Sequence, residues 1–183
     1  MNKQAILKYD PLKIELGAGT RPRKDRKDGW IFSDLQAYPG IDLVAPCSNL
    51  GLPVNSVSEI FSSHLIEHIP WDLTPKILMY WYSLLKPGGS VEILCPNCEY
   101  AMRLFLKASK EGKLTTGMVH RVLWGTRNAG TPELPPHNEH HAGFTKNTLK
   151  IYLAKSGFIN IVVEDFNRFG IPDRDIHAIA YKK

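Results

Sequence analysis

The chain has 183 residues, enough for one ordinary domain whose core needs no metal or disulfide staple. A hydrophobic fraction of 43% and a charged fraction of 22% are those of a globular protein in water, and no apolar run approaches the roughly 18 residues of a membrane span. A net charge of +5 favours an anionic partner, and three cysteines exclude a disulfide framework. Met1 to Lys8 leads into polar Tyr9-Asp-Pro11, so no secretory signal is readable, and a single cytoplasmic domain over residues 1–183 is expected.

Lys13-Ile-Glu-Leu16 reads as a short strand that stops at Gly17-Ala-Gly19, where glycines let the chain turn under a ligand. Trp30-Ile-Phe-Ser33, Ile41-Asp-Leu-Val-Ala45 and Glu59-Ile-Phe-Ser62 read as three further buried strands, ending at Asp34, at Pro46 and near His64. Between the first two, Arg21-Pro-Arg-Lys-Asp-Arg-Lys27 is a charged run expected to be a solvated loop. Pro75 opens a helix in which Ile77, Leu78, Tyr80, Trp81, Leu84 and Leu85 recur at helical spacing, and Lys86-Pro-Gly-Gly89 ends it. Ser90-Val-Glu-Ile-Leu-Cys95 is the fifth strand, and Asn97 caps a helix that ends near Gly112.

Thr115 to Gly143 carries glycines, prolines, Trp124 and four histidines with no sustained period, which predicts an irregular insert of functional kind. Thr145 then caps a helix over Leu149 to Lys155, stopped by Gly157. Phe158 to Glu164 and Ile176 to Tyr181 read as a terminal, antiparallel pair of strands. Strands that alternate with helices predict an α/β fold: a Rossmann-like, mostly parallel sheet of about seven strands in a three-layer sandwich.

A glycine loop after the first strand of such a sheet lies at its carboxyl edge, where ligands bind. The loop is only G-x-G, followed by Pro22 and charges where a dinucleotide fold has a third glycine and a long helix. A pyrophosphate needs that helix N-terminus; S-adenosylmethionine carries no phosphate and does not. Glu15 is placed to meet an amino group, and Asp34 stands where a carboxylate accepts from both hydroxyls of a ribose.

Leu12-Lys-Ile-Glu-Leu-Gly-Ala-Gly19, Gly29-Trp-Ile-Phe-Ser-Asp-Leu35, Leu52-Pro-Val-Asn-Ser-Val-Ser-Glu-Ile60, Ser63-His-Leu-Ile-Glu-His-Ile69 and Leu85-Lys-Pro-Gly-Gly-Ser-Val91 follow one another along the chain. In order and spacing they resemble the successive motifs of class I S-adenosylmethionine-dependent methyltransferases, and most closely the small type 11-like ones. The resemblance implies that Glu15, Gly17, Ala18 and Gly19 hold the methionine end of S-adenosylmethionine and Asp34 its ribose. Leu35 would pack on the adenine, and Ser63 and His64 would border the methionine moiety. This chain departs from the pattern at Pro46-Cys47-Ser48, where the family commonly has an acid, and at Thr20 to Asp28, which replaces a helix.

Other constellations are read more plainly. His64 and His68, four apart with Glu67 between, are expected to cap or pack rather than hold a metal, because Pro70 ends the segment. Cys95-Pro-Asn-Cys98 with His137 and His140 has the donors of a zinc site, but Cys95 at the end of a core strand reads as a small hydrophobe. No metal is therefore expected. His137, His140 and His141 are the candidates for a general base that takes a proton from the acceptor. The expected activity is methyl transfer to an oxygen or nitrogen of a small-molecule or glycan acceptor, an anionic one suiting the charge. The alternative is a binding module that keeps the fold without the chemistry and engages RNA or an acidic partner; the chain lacks the interleaved aromatic and basic residues of RNA-binding modules.

Overall fold

The computed structural model describes residues 3–126, 138–168 and 170–183. Its strands are β1 (Lys13–Leu16), β2 (Trp30–Asp34), β3 (Leu43–Val44), β4 (Val57–Ser63), β5 (Leu85–Pro96), β6 (Ile159–Arg168) and β7 (Ile171–Tyr181). They form one seven-stranded sheet in the order β3-β2-β1-β4-β5-β7-β6. The first five strands are parallel, and β7 runs antiparallel to both β5 and β6. This is the expected mostly parallel sheet with an antiparallel C-terminal pair, flanked by helices. Among the described residues, no helix is long and apolar enough to cross a membrane.

Strand β2 is buried at Trp30 to Ser33, and Trp30, Ile31 and Phe32 make both sides of its pleat apolar, as parallel strands inside a sheet require. One face carries Ile14, Leu16, Ile31, Ile60, Val91 and Ile93. Against it pack helix α2 (Thr74–Leu84), through Ile77, Leu78, Trp81 and Leu84, and helix α5 (Lys146–Lys155), through Leu149 and Leu153. The Trp81 indole N–H donates to the Cys47 carbonyl at 2.9 Å, tying α2 to the segment that follows β3. Thr145 caps α5 reciprocally with Thr148, as its position before the helix predicts.

The opposite face presents Trp30, Phe32 and Phe61. The charged run is a largely exposed loop, as expected, but two of its side chains reach back over this face. Lys24 Nζ sits 4.2 Å from the centre of the Phe61 ring and pairs with Glu92 at 2.7 Å. Arg26 lies 4.6 Å from the Phe32 ring centre and pairs with Asp42 at 2.9 Å. Long cationic stems here do what a packed helix would do, by laying methylenes and charge over aromatic faces. Lys24→Ala is expected to cost about 1–2 kcal/mol in urea unfolding, and an unchanged midpoint would show that the cover is idle.

Farther along this face His177 Nε2 lies 3.1 Å from Glu92 Oε1, and its Nδ1 lies 3.5 Å from Glu164 Oε1. The Glu92 contact, with Glu164 behind it, raises the imidazole pKa above its ordinary 6.5. A pKa raised by folding stabilises the protein below the ordinary value, and that contribution is lost as pH rises through the raised value. Stability is therefore expected to fall on going alkaline from near neutrality, with a shallower slope in His177→Gln, measured by urea unfolding across that range.

Several elements differ from the sequence reading, among them β5, which begins at Leu85 rather than Ser90, and β7, which begins at Ile171 rather than Ile176. Within Thr115 to Gly143, Gly117–Trp124 forms helix α4, because Val119 and Val122 bury together against Ala101 of helix α3 (Cys98–Lys110). The N-terminus adds helix α1 (Lys3–Ile6), whose Ile6 joins the core. β3 is two residues long, not five. His68 ends a 3-10 turn, Ile66–His68, and His64 lies two residues before it.

Candidate functional site

The sheet order reverses between β1 and β4, and the carboxyl ends of β1, β2 and β4 meet there. Gly17 and Gly19 turn the chain at that edge with φ of 65° and 58°, a left-handed conformation that favours glycine. A Cβ on Gly17 would come within 3.0 Å of Leu65, and one on Gly19 would meet nothing within 4 Å. The Gly19 backbone thus stays open for close approach. Asp34 Oδ2 accepts from the Gly19 N–H at 2.9 Å, and Oδ1 accepts from the Gln36 N–H at 2.9 Å. Each of its oxygens keeps a second lone pair.

Glu15 is 2% exposed and holds the basic run from beneath, accepting from the Arg23 and Lys24 backbone N–H groups at 2.8 Å each. Burial raises its pKa, although those hydrogen bonds oppose the change. A cavity of about 630 Å³ opens above the glycines, lined among others by Gly17, Gly19, Asp34, Leu35, Cys47, His64, His68 and His141. A smaller one of about 210 Å³ adjoins it, lined by Glu15, Gly17, Ala18, Thr20, Arg21, Arg23, Ser63 and His64. A third, of about 510 Å³, lies between α3 and α4 and is lined in part by Cys98, Phe105, Trp124, His140 and His141.

His64 has a left-handed backbone, φ 52°, and bridges two carboxylates. Its Nδ1 lies 3.1 Å from Glu67 Oε1 and its Nε2 lies 3.2 Å from Asp175 Oδ2. Desolvation works to raise the pKa of buried Glu67, but His64 and His68 outweigh it and hold the carboxyl below its ordinary value. The backbone N–H groups of His141 and Ala142 donate to the Glu67 carbonyl at 2.8 and 3.0 Å, which brings the histidine segment to the end of β4. Burial lowers the pKa of His140, and it raises the thiols of Cys95, Cys98 and, to about 11, Cys47. Cys95 belongs to the main core, as a small hydrophobe does.

Comparison with protein-family profiles and with curated proteins finds no match. Solved structures do match. An S-adenosylmethionine-dependent methyltransferase from Archaeoglobus fulgidus is 16% identical, with a TM-score of 0.65 over 93% of this chain and 85% of that one. One from Thermotoga maritima, described as a possible histamine N-methyltransferase, is 18% identical, with a TM-score of 0.64 over 93% and 81%. The 1,6-didemethyltoxoflavin-N1-methyltransferase of Burkholderia thailandensis is 14% identical, with a TM-score of 0.62 over 93% and 70%. The chain has the class I methyltransferase fold.

Within this methyltransferase fold the expected cofactor residues fall together. Gly17, Gly19, Asp34, Leu35 and His64 line the 630 Å³ cavity, and Glu15, Ala18 and Ser63 line its neighbour. The Glu15 carboxylate is engaged by the basic run, so an amino group would share it with two backbone N–H groups. Pro46 and Cys47 stand on the cavity wall where the resemblance leads one to expect an acid. Of the candidate bases, His141 faces the large cavity, His140 faces the one beside it, and His137 lies outside the described residues. Tyr38, Leu65 and Ile69 also line the large cavity and were not expected, and Asn138 joins them from the insert expected to be functional. They come from irregular segments, which carry no periodic signal.

Proposed function

We propose that this chain transfers a methyl group from S-adenosylmethionine to an oxygen or nitrogen of a small-molecule or glycan acceptor. The observation that carries the reading is the 630 Å³ cavity at the point of strand reversal, floored by two left-handed glycines and walled by Asp34. Its size lies in the range of small-ligand sites, roughly 300–1,000 Å³. The residues fit the cofactor: the Gly19 backbone borders open space, with nothing within 4 Å of where a Cβ would stand, and both Asp34 oxygens keep a lone pair for ribose hydroxyls. The exposed Leu35 side chain offers an apolar surface for the adenine, and Ser63 and His64 border the methionine end.

When bound, S-adenosylmethionine supplies a methyl group already activated by its positive sulfur. What remains for the protein is alignment of the acceptor at about 3–3.5 Å, exclusion of water, and a destination for a proton. His141, an exposed side chain on the cavity wall, takes that proton on a ring nitrogen. The location of the protein is proposed to be the cytoplasm. The positive charge is consistent with an anionic acceptor.

Titration calorimetry with S-adenosylmethionine and S-adenosylhomocysteine tests the reading: saturable heats are expected from both, and no heat from either would overturn it in favour of a binding module. His141→Ala should lower methyl transfer to a panel of hydroxylated and amino sugars by roughly 100- to 10,000-fold, with calorimetric binding intact. Unchanged turnover would remove His141 from the mechanism.

A further inference from the structure

We infer that Glu67, His68 and His140 form a binding site for a divalent transition-metal ion, with zinc the ion their chemistry suits best. One ligand atom from each of the three lies within 4.8 Å of the others, the one such grouping found among the described residues. Glu67 is buried, and neither of its carboxylate oxygens has a hydrogen-bond partner among the described residues. His64 Nδ1 lies 3.1 Å from Oε1, and Oε2 has no such neighbour among the ion pairs of the described residues. A buried carboxylate in that condition is costly unless a cation meets it.

The two histidines are oriented for the task. His68 Nδ1 lies 3.0 Å from the Glu139 carbonyl, and His140 Nδ1 lies 3.0 Å from the Val122 carbonyl. A carbonyl oxygen only accepts, so each Nδ1 carries the hydrogen and each Nε2 keeps its lone pair. Metal-bound histidines are held in this way, the ring N–H to a backbone carbonyl fixing both tautomer and direction. The rings stand edge to face with centroids 5.1 Å apart.

Two imidazoles and one carboxylate are the ligand set of zinc sites that keep a fourth position open; magnesium and calcium prefer oxygen alone. His68 lines the large cavity, His140 its neighbour, and His141 both, so the open position belongs to the space where an acceptor would enter. That an ion there polarises an acceptor hydroxyl rests on the methyl-transfer reading; metal binding itself does not. The four-residue spacing of His64 and His68 does not reveal this site, because His64 is a partner of Glu67 and the third ligand comes from a distant segment.

The test is metal analysis of the whole chain after dialysis against zinc, followed by replacement with cobalt(II) and visible absorption. About one equivalent of zinc per chain is expected, with cobalt bands of a four- or five-coordinate ion and no thiolate charge-transfer band. Glu67→Gln and His68→Ala should each weaken zinc binding by at least about 100-fold, and His120→Ala should leave it unchanged. His68→Ala, at a partly exposed position, carries the test should Glu67→Gln fail to fold. Wild-type protein that retains no zinc overturns the site, and a thiolate band would move it to Cys95 and Cys98. Neither result depends on whether S-adenosylmethionine binds.

Discussion

Asp34→Ala will weaken S-adenosylhomocysteine binding by about 2–4 kcal/mol, roughly 30- to 1,000-fold, in titration calorimetry. The size follows from what the carboxylate does. Its two oxygens accept from Gly19 and Gln36 N–H groups at 2.9 Å each, and Asp34 lines the cavity where a ribose would lie. Hydrogen bonds to a charged group are worth about 1.5–3 kcal/mol, more than neutral ones, and alanine removes both ligand contacts together with the brace on the glycine loop. Asp34→Asn keeps one acceptor and should lose about half of that energy. Wild-type affinity in the alanine variant would show that the ribose sits elsewhere.

Trp81→Ala is expected to cost about 3–5 kcal/mol in urea unfolding, a large share of the 5–15 kcal/mol that holds a domain of this kind together. Trp81 is 0% exposed, and α2 meets the sheet through it. Removing the indole leaves a void in a packed core and strands the Cys47 carbonyl, which now accepts at 2.9 Å. Trp81→Phe should cost less, about 1–3 kcal/mol, because most of the volume remains while the hydrogen bond is lost. Cys47 lines the large cavity, so the alanine variant should also bind S-adenosylhomocysteine more weakly even where it is folded. A variant with full stability would mean that the core can collapse around the missing ring.

Much of the fold was legible because its elements carry their own punctuation. β1 stops at Gly17, α3 starts at Asn97, whose side chain accepts from the Glu99 and Tyr100 N–H groups, and α5 starts at Thr145. Such signals are local, and the physics that reads them is local too. Helix α4 was not legible, because its eight residues, Gly117–Trp124, are too few for a clear period and are ordered by burial against α3. The basic run faces solvent as its charge predicts, but the reach of Lys24 over an aromatic face was not legible, because that face exists only once Trp30 and Phe61 are brought side by side by strand pairing.

The site divides along the same line. Sequence alone determined the glycine turn and the carboxylate at the end of the second strand, because both are consequences of short-range geometry at a strand's carboxyl end. It also determined that histidines would be available as bases or ligands. Only the tertiary structure decided which of them meet. His64 joins Glu67 to Asp175 across three elements, and His68 faces His140 because the His141 and Ala142 N–H groups anchor their segment on the Glu67 carbonyl. Contacts between residues far apart in the chain depend on how the sheet closes and where its loops return, and neither leaves a period or a spacing in the sequence to read.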